Sequence, residues 1–550
     1  PTFKPNPDKS WILYQDGKWA AVIDPDESNK TGADDHVFLD GDKVGSVVNG
    51  TIGANLAQTP TTLTLTDDWS KAAYIFKADD VKAMRVYEAD ATTDKQSSVT
   101  DIVNTGKDVT AQWTITVNGS KATATANSEY LAGLKGLKAP KQVTLLIPGT
   151  ISFASGKGAS QVRKDFGKKP GDELTFCTAP RDTAGANGAS LTNSGSQTLN
   201  GAVEQTNEPK ICGYVPPVVK DVIGEGSEGG DQASVDGKVV YPGQKVEYQL
   251  TTQPNLPAGL AYQVGKVVFT DTYDQYLTPD KQTVEMMDLA SGKVVPKTKY
   301  DTKWDEAKHL FQLTVTDQAL LEEWKAGANP RVQIRFEGTV AKDAPGDHKV
   351  NNQWMLTLNN SLTPSNEVFN LPPNFQPSKA DNQSKEQGDP TISIDGKTLM
   401  LGDTGQYVVT LDARQKDQAY KVWRLGISDD YDDEYVDVDP AKIEVLGADG
   451  KDYSKAFNIQ VRDGVAYVYA RTVDTKAPAT GETVKGDPQP EDLKAYAANT
   501  AHDALKDPAI DQTLLGQTYQ VILPYKVIKV TDGYVAKNVA TQLVNQVSKT

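Results

Sequence analysis

Apolar and polar positions alternate in short runs along most of this chain. The segments KVEYQLTT (245–252), KVVFTDTY (266–273), RVQIRFEGTV (331–340) and WMLTLNN (354–360) each place their apolar residues on one side of an extended backbone. Asp-Gly and Pro-Gly turn signals separate such runs. Many short strands with tight turns between them predict an all-β chain of immunoglobulin-like sandwiches. Two stretches break the pattern. DQALLEEWKAG (317–327) and EDLKAYAANTAHDALKD (491–507) have helical spacing and composition, and are read as crossover insertions. Leu320, Leu321 and Trp324 are expected to pack into a core and not to form a binding face.

Two proline-marked joints, YVPPVVK (214–220) and NLPPNFQPSK (370–379), divide the chain into 1–214, 215–374 and 375–550. The second and third parts repeat. Lys220 precedes VDGKVVYPGQKVEYQL and Lys379 precedes IDGKTLMLGDTGQYVV, and the two lysines are offset by the same interval as Gly237 and Gly396 in the Asp-Gly-Lys turns. An acidic-aromatic knot follows each lysine at nearly equal distance, FTDTYDQY (269–276) and ISDDYDDEY (427–435). Each unit closes on an asparagine-bearing segment, SNEVFN (365–370) and LVNQVSKT (543–550). The first part carries the same order more loosely, in DKSWILY (8–14), FLDGDKVGSVV (38–48), TLTLTDDW (62–69) and QTNEPKICGY (205–214). Its interval from Lys9 to Gly41 is longer than those from Lys220 to Gly237 and from Lys379 to Gly396.

A lysine on a first strand, an acid in the middle and an asparagine on a last strand can form an amide without a cofactor. Burial disfavours both the ammonium and the carboxylate, so the pair can exist as neutral amine and neutral acid. The acid then polarises the carboxamide and passes the proton to departing ammonia, while the fold supplies proximity. The run DDYDDEYVDVD (429–439) has a competing reading as a Ca²⁺ site, because its carboxylates alternate, but it lacks the glycine-bearing loop of an EF-hand.

A net charge of −16 excludes a basic stripe for nucleic acid. No apolar run is long enough to cross a membrane, and no leader or anchor is legible, as expected for a piece of a larger exported protein. Cys177 and Cys212 are the two cysteines. A disulfide is preferred to two buried thiols, and the scattered histidines offer no metal set. Hydrolase motifs of the GxSxG or HExxH type are missing.

The KSW opening, the DDW, DTY and DDY knots, the VDGK and IDGK turns and the closing SNEV and VNQV segments resemble the C-terminal repeats of the antigen I/II family. These are cell-wall-anchored adhesins of streptococci and related Gram-positive bacteria. The resemblance implies a variant immunoglobulin-like sandwich in each of the three parts, with a Lys–Asn isopeptide bond and an assisting acid. Carried over, the triplets are Lys9/Asp67/Asn207, Lys220/Asp271/Asn366 and Lys379/Asp429/Asn545, with Asp68 and Asp430 as neighbouring alternatives for the acid. The cysteine pair departs from the family pattern. The function implied is a non-enzymatic, monomeric stalk on the cell wall. The alternative is a module that itself contacts a host glycoprotein or another bacterium's surface protein.

Overall fold

The computed structural model describes residues 1–23, 37–91, 97–177, 191–252, 256–257, 259–324, 331–478, 480–487 and 490–550. The strands pair into three successive two-sheet sandwiches. In each one, the strand carrying the expected lysine lies antiparallel beside the next long strand. Asp8–Gln15 pairs with Lys43–Ile52, Val218–Gly224 with Lys245–Thr252, and Ser378–Gln383 with Thr404–Ala413. The strand carrying the expected acid belongs to the opposite sheet: Leu63–Asp68, Val267–Tyr273 and Leu425–Asp430. The lysine and the acid therefore face one another across the sandwich.

Alternation explains the cores. Along Lys245–Thr252 every second residue is buried, and Val246, Tyr248 and Leu250 join Phe269, Phe336 and Trp354 in the apolar centre of the second sandwich. Burial of this kind contributes about 25 cal/mol per Å² of apolar surface removed from water.

The helical segments are shorter than their composition suggests. Gln318–Glu322 is helical, capped by the Asp317 side chain on Leu320 N–H, and Leu320, Leu321 and Trp324 are buried as expected of core residues. Residues 325–327 of that expected helix lie outside the described residues. Of 491–507 only Leu493–Ala498 is helical. The buried Arg424 guanidinium donates to the carbonyls of Tyr496, Ala497 and Asn499, and so draws the chain out of the helix.

The joints are packed and not loose. Arg163, almost wholly buried, donates to Asp172 O, Pro364 O and Pro216 O, tying the first sandwich to the second. Cys177 and Cys212 are bonded, with S–S 2.05 Å, beside a small sheet of Leu174–Phe176, Cys212–Val215 and Val37–Phe38.

Candidate functional site

Each sandwich buries one lysine against one carboxylate. Lys9 Nζ lies 2.9 Å from Asp67 Oδ2, Lys220 Nζ 2.5 Å from Asp271 Oδ2, and Lys379 Nζ 3.1 Å from Asp429 Oδ2. The first two pairs are fully enclosed, whereas the Lys379 side chain is 23% exposed. Asp68 and Asp430 are not used in this way. Asp68 Oδ1 accepts from Ser70 N–H, and Asp430 is exposed.

Burial sets the protonation of these groups. Desolvation pulls the Lys9 and Lys379 amines below their ordinary value, and lowers Lys220 to about 8. The same desolvation raises the Asp271 and Asp429 carboxyls, against the opposing pull of Lys220 and Lys379. In these pairs the environment thus moves charge toward the neutral amine and the neutral acid.

The asparagines expected from sequence are not at the lysine amines. Asn207 Oδ1 accepts from the main-chain N–H of Lys9 and its Nδ2 donates to Lys9 O. Asn366 makes the same two bonds to the main chain of Lys220. Both carboxamides therefore imitate a strand partner for the lysine's backbone. Asn545 has φ 51°, in the turn joining Val539–Val544 to Val547–Lys549, and its Oδ1 accepts from the N–H of Trp423 and Arg424.

Three other asparagines stand at the amine–acid pairs. The register is common to all three sandwiches: Gly195 is the cross-strand partner of Asp67, Trp354 of Asp271 and Ala540 of Asp429. Asn193, Asn352 and Asn538 each lie two residues earlier, on the same face as the acid's partner. Asn352 lies beside Asp271, and Asn538 beside Asp429, each pulling its neighbour's carboxyl down. Neither makes a hydrogen bond of ordinary geometry. Among the described residues, both polar atoms of Asn352 and of Asn538, and Oδ1 of Asp67, Asp271, Asp429 and Asn193, are buried without a partner. A buried carboxamide with unmade bonds is costly, roughly 1–3 kcal/mol for each, so three in one register are not incidental.

A third side chain completes each group. The Lys220 amine sits 4.6 Å from the centre of the Tyr248 ring, and the Lys379 amine 4.7 Å from that of Tyr407. In the first sandwich Ser46 stands at the equivalent strand position. Its Oγ accepts from Lys9 Nζ and from Asn193 Nδ2 (2.6 Å) and donates to Asp67 Oδ2 (2.6 Å). One hydroxyl thus touches amine, acid and carboxamide together.

The acidic run 429–439 does not converge as a Ca²⁺ site would. Asp429 faces Lys379, Asp432 accepts from Tyr534 Oη, Glu434 pairs with Lys529, and Asp439 caps Ala441 N–H. Among the described residues no three His, Cys, Asp or Glu side chains are grouped to hold a metal.

Consecutive immunoglobulin-like sandwiches, each bringing an amine, a carboxyl and a carboxamide together between its sheets, define a class of tandem structural module. The chain belongs to the antigen I/II family: the family model for the cell surface antigen I/II C2 terminal domain matches residues 219–372 and 377–550. Among solved structures, it is similar to the C-terminal domain of the Streptococcus pyogenes antigen I/II-family protein AspA, at 14% identity and TM-score 0.42, covering 66% of this chain and 99% of that one. The C-terminal domain of the Streptococcus agalactiae polypeptide BspA matches at 13% identity and TM-score 0.38, over 67% of this chain and 100% of that one. BcpA, the major pilin subunit of Bacillus cereus, matches at 12% identity and TM-score 0.24, over 55% of this chain and 79% of that one.

Proposed function

We propose that this chain is a structural stalk segment of a cell-wall-anchored Gram-positive surface adhesin, divided into modules 1–214, 215–374 and 375–550. Each module closes one intramolecular amide: Lys9 to Asn193, Lys220 to Asn352 and Lys379 to Asn538. The neutral lysine nitrogen attacks Cγ of the asparagine, and the bond from Cγ to Nδ2 breaks. The proton lost by the lysine nitrogen passes through Asp67, Asp271 or Asp429 to the leaving nitrogen, which departs as ammonia. Ser46 in the first module, and Tyr248 and Tyr407 in the others, hold the amine in place. The group acts once, on its own chain, and is not an enzyme.

The observation that carries this reading is the shared register. In all three sandwiches an asparagine whose Oδ1 is buried without a partner lies two residues before the acid's cross-strand partner. Intact-mass measurement tests it. The wild-type chain is expected to weigh three ammonia molecules less than its sequence, beyond the two hydrogens of the disulfide. Asn352→Ala should retain one more ammonia equivalent than wild type once the substitution is allowed for, and Asn366→Ala should not. A wild-type chain of full mass would end the proposal. Loss of a bond in Asn366→Ala with none in Asn352→Ala would return the electrophile to the closing segment.

A further inference from the structure

The two joints are built by one device. At the first, Val37 N–H donates to Gly259 O (2.7 Å) and Ala261 N–H to Val37 O (2.8 Å), so Leu260 bridges Val37 in parallel. Tyr262 Oη accepts from Tyr14 N–H (2.7 Å) and donates to Lys43 O (2.6 Å). At the second, Val239 N–H donates to Asp417 O (2.7 Å) and Ala419 N–H to Val239 O (2.9 Å), with Gln418 as the parallel partner. Tyr420 Oη accepts from Glu225 N–H (2.9 Å) and donates to Lys245 O (2.5 Å). Each following module therefore extends an Ala–Tyr arm, which adds a short strand to its predecessor and plugs a ring into it.

The receiving surface recurs in the third module. A tight turn marks it in all three: the side chains of Asp42, Gln244 and Asp403 accept from the N–H of Leu39, Tyr241 and Met400. The glycines one residue before those turn side chains, Gly41, Gly243 and Gly402, all have φ near +90° and donate to Ile151 O, Val340 O and Val527 O. Leu39 is 1% exposed and packs in the second module's core, and Tyr241, 4% exposed, packs in the third's against Phe375. Met400, in the same position, is 69% exposed, and its chain neighbour Leu401 is 63% exposed. Thr398, matching Val37 and Val239, is exposed too. Next to it runs a groove of about 660 Å³ lined by Ser384, Thr404, Gly405, Pro524 and Tyr525. Ser384 and Thr404 occupy the positions whose counterparts, Glu225 and Lys245, hold Tyr420. The local scaffold is also kept, since Thr404 N–H donates to Gln387 as Lys245 N–H donates to Glu228.

We propose that this tip of the third module is a docking site for an extended small-residue–tyrosine segment carried by a further module of the same build. The arm adds in parallel to Thr398, its ring enters the groove, and Met400 becomes buried under it. A second copy of this chain does not supply that arm. Its own second and third modules use theirs internally, and its first has Gln58 nine residues before Asp67, where Tyr262 precedes Asp271 and Tyr420 precedes Asp429 by nine. This inference stands apart from the amide chemistry.

The full chain has five methionines, so methyl-labelled methionine reports on Met400 directly. A peptide of the sequence Leu-Pro-Ala-Gly-Leu-Ala-Tyr-Gln, taken from the first joint, should shift the Met400 methyl resonance saturably and leave those of Met84 and Met286 unmoved. The same peptide with alanine for tyrosine should not. No shift at about 1 mM peptide, the effective concentration a short tether provides, would overturn the proposal, and so would an equal shift with the alanine peptide. A second measurement removes the dependence on peptide affinity. The chain is lengthened after Thr550 by another copy of residues 365–550, so that the native joint is reproduced. The inner Met400 should then be oxidised by peroxide about tenfold more slowly than the outer one, because oxidation follows exposure. Equal oxidation of the two would overturn it.

Discussion

Replacing Asp271 by alanine separates the acid's chemical role from its packing. Asp271 is fully buried, its Oδ2 holds Lys220, and its Oδ1 has no partner among the described residues. Without it nothing relays a proton from Lys220 to the leaving ammonia, so the second amide should not form and the mass should rise by one ammonia after allowing for the substitution. The lost covalent loop runs from Lys220 to Asn352. In the chain-entropy account, closing a loop of roughly 130 residues stabilises by about 5 kcal/mol. For a module of this length, each kcal/mol moves the melting temperature by about 2–4 °C, so the second module should melt roughly 10–20 °C lower. Leaving Lys220 without a partner adds to that loss, whereas Asn352→Ala removes the amide and keeps the Lys220–Asp271 pair. The two variants should therefore share a mass defect and differ in stability, with Asp271→Ala the weaker. Mass spectrometry and calorimetry on the full chain check both. An Asp271→Ala chain that still lacks three ammonia molecules would refute the assignment of the acid.

Ser46→Ala should slow amide formation in the first module alone, because among the described residues only there does one hydroxyl bridge amine, acid and carboxamide; time-resolved mass after refolding would reveal it. In Asn352→Ala, Lys220 stays unbonded with its pKa lowered to about 8 from an unfolded value of 10.5. The unfolded chain then binds more protons between those values, so the module should gain stability as pH rises from about 8 to 10.5, read from denaturant midpoints, and a falling midpoint would contradict the burial argument. Breaking the Cys177–Cys212 bond opens a loop of sequence separation 35, which should cost about 4 kcal/mol at the first joint and leave the third module's melting unchanged.

The strand pattern was legible in its alternation, and the pairing of Lys220 with Asp271 and of Lys379 with Asp429 in a spacing that survives in the repeat, whereas Lys9 and Asp67 followed from motif order alone, their interval being longer. The interval from Lys220 to Asp271 and that from Lys379 to Asp429 differ by one, 51 against 50. The asparagines we propose as electrophiles were not legible. The interval from acid to asparagine differs in every module, being shortest from Asp271 to Asn352 and longest from Asp67 to Asn193, since insertions of different size fall between them. What is constant is the cross-strand register, which sequence does not display. The closing motifs point to other asparagines for a related reason. Asn545 matches Asn359, both with φ near 51° in the turn after the last long strand, and not Asn366. In the same way Gly41 is the counterpart of Gly243 and Gly402, and not of Gly237 and Gly396. Measured to those true counterparts, the first module's interval from Lys9 is still the longest, but its excess over the other two is smaller than the Asp-Gly turns suggest.

Placing the electrophile at Asn352 changes how the second module should respond to pulling. Force enters near Pro217 and leaves near Pro372, and an amide from Lys220 to Asn352 carries it past residues 221–351. Residues 353–370 lie outside that covalent loop, held by strand pairing, by the Asn366 clasp on the Lys220 main chain, by the bonds of Phe369 and Asn370 to Val235, Asp236, Gly237 and Lys238, and by Arg163 on Pro364 O. Val368–Asn370 pairs with Val350–Asn352, so the two ends of this segment start close together. Under load these non-covalent ties should release first and give about 60 Å of extension at roughly 3.4 Å per residue, after which the module stretches no further. Asp271→Ala should add the opened loop 221–351, about 450 Å on the same scale. Single-molecule force spectroscopy distinguishes the two electrophiles. An amide to Asn366 would leave only 367–370 outside the loop, so a wild-type second module with no early step of about 60 Å would count against Asn352.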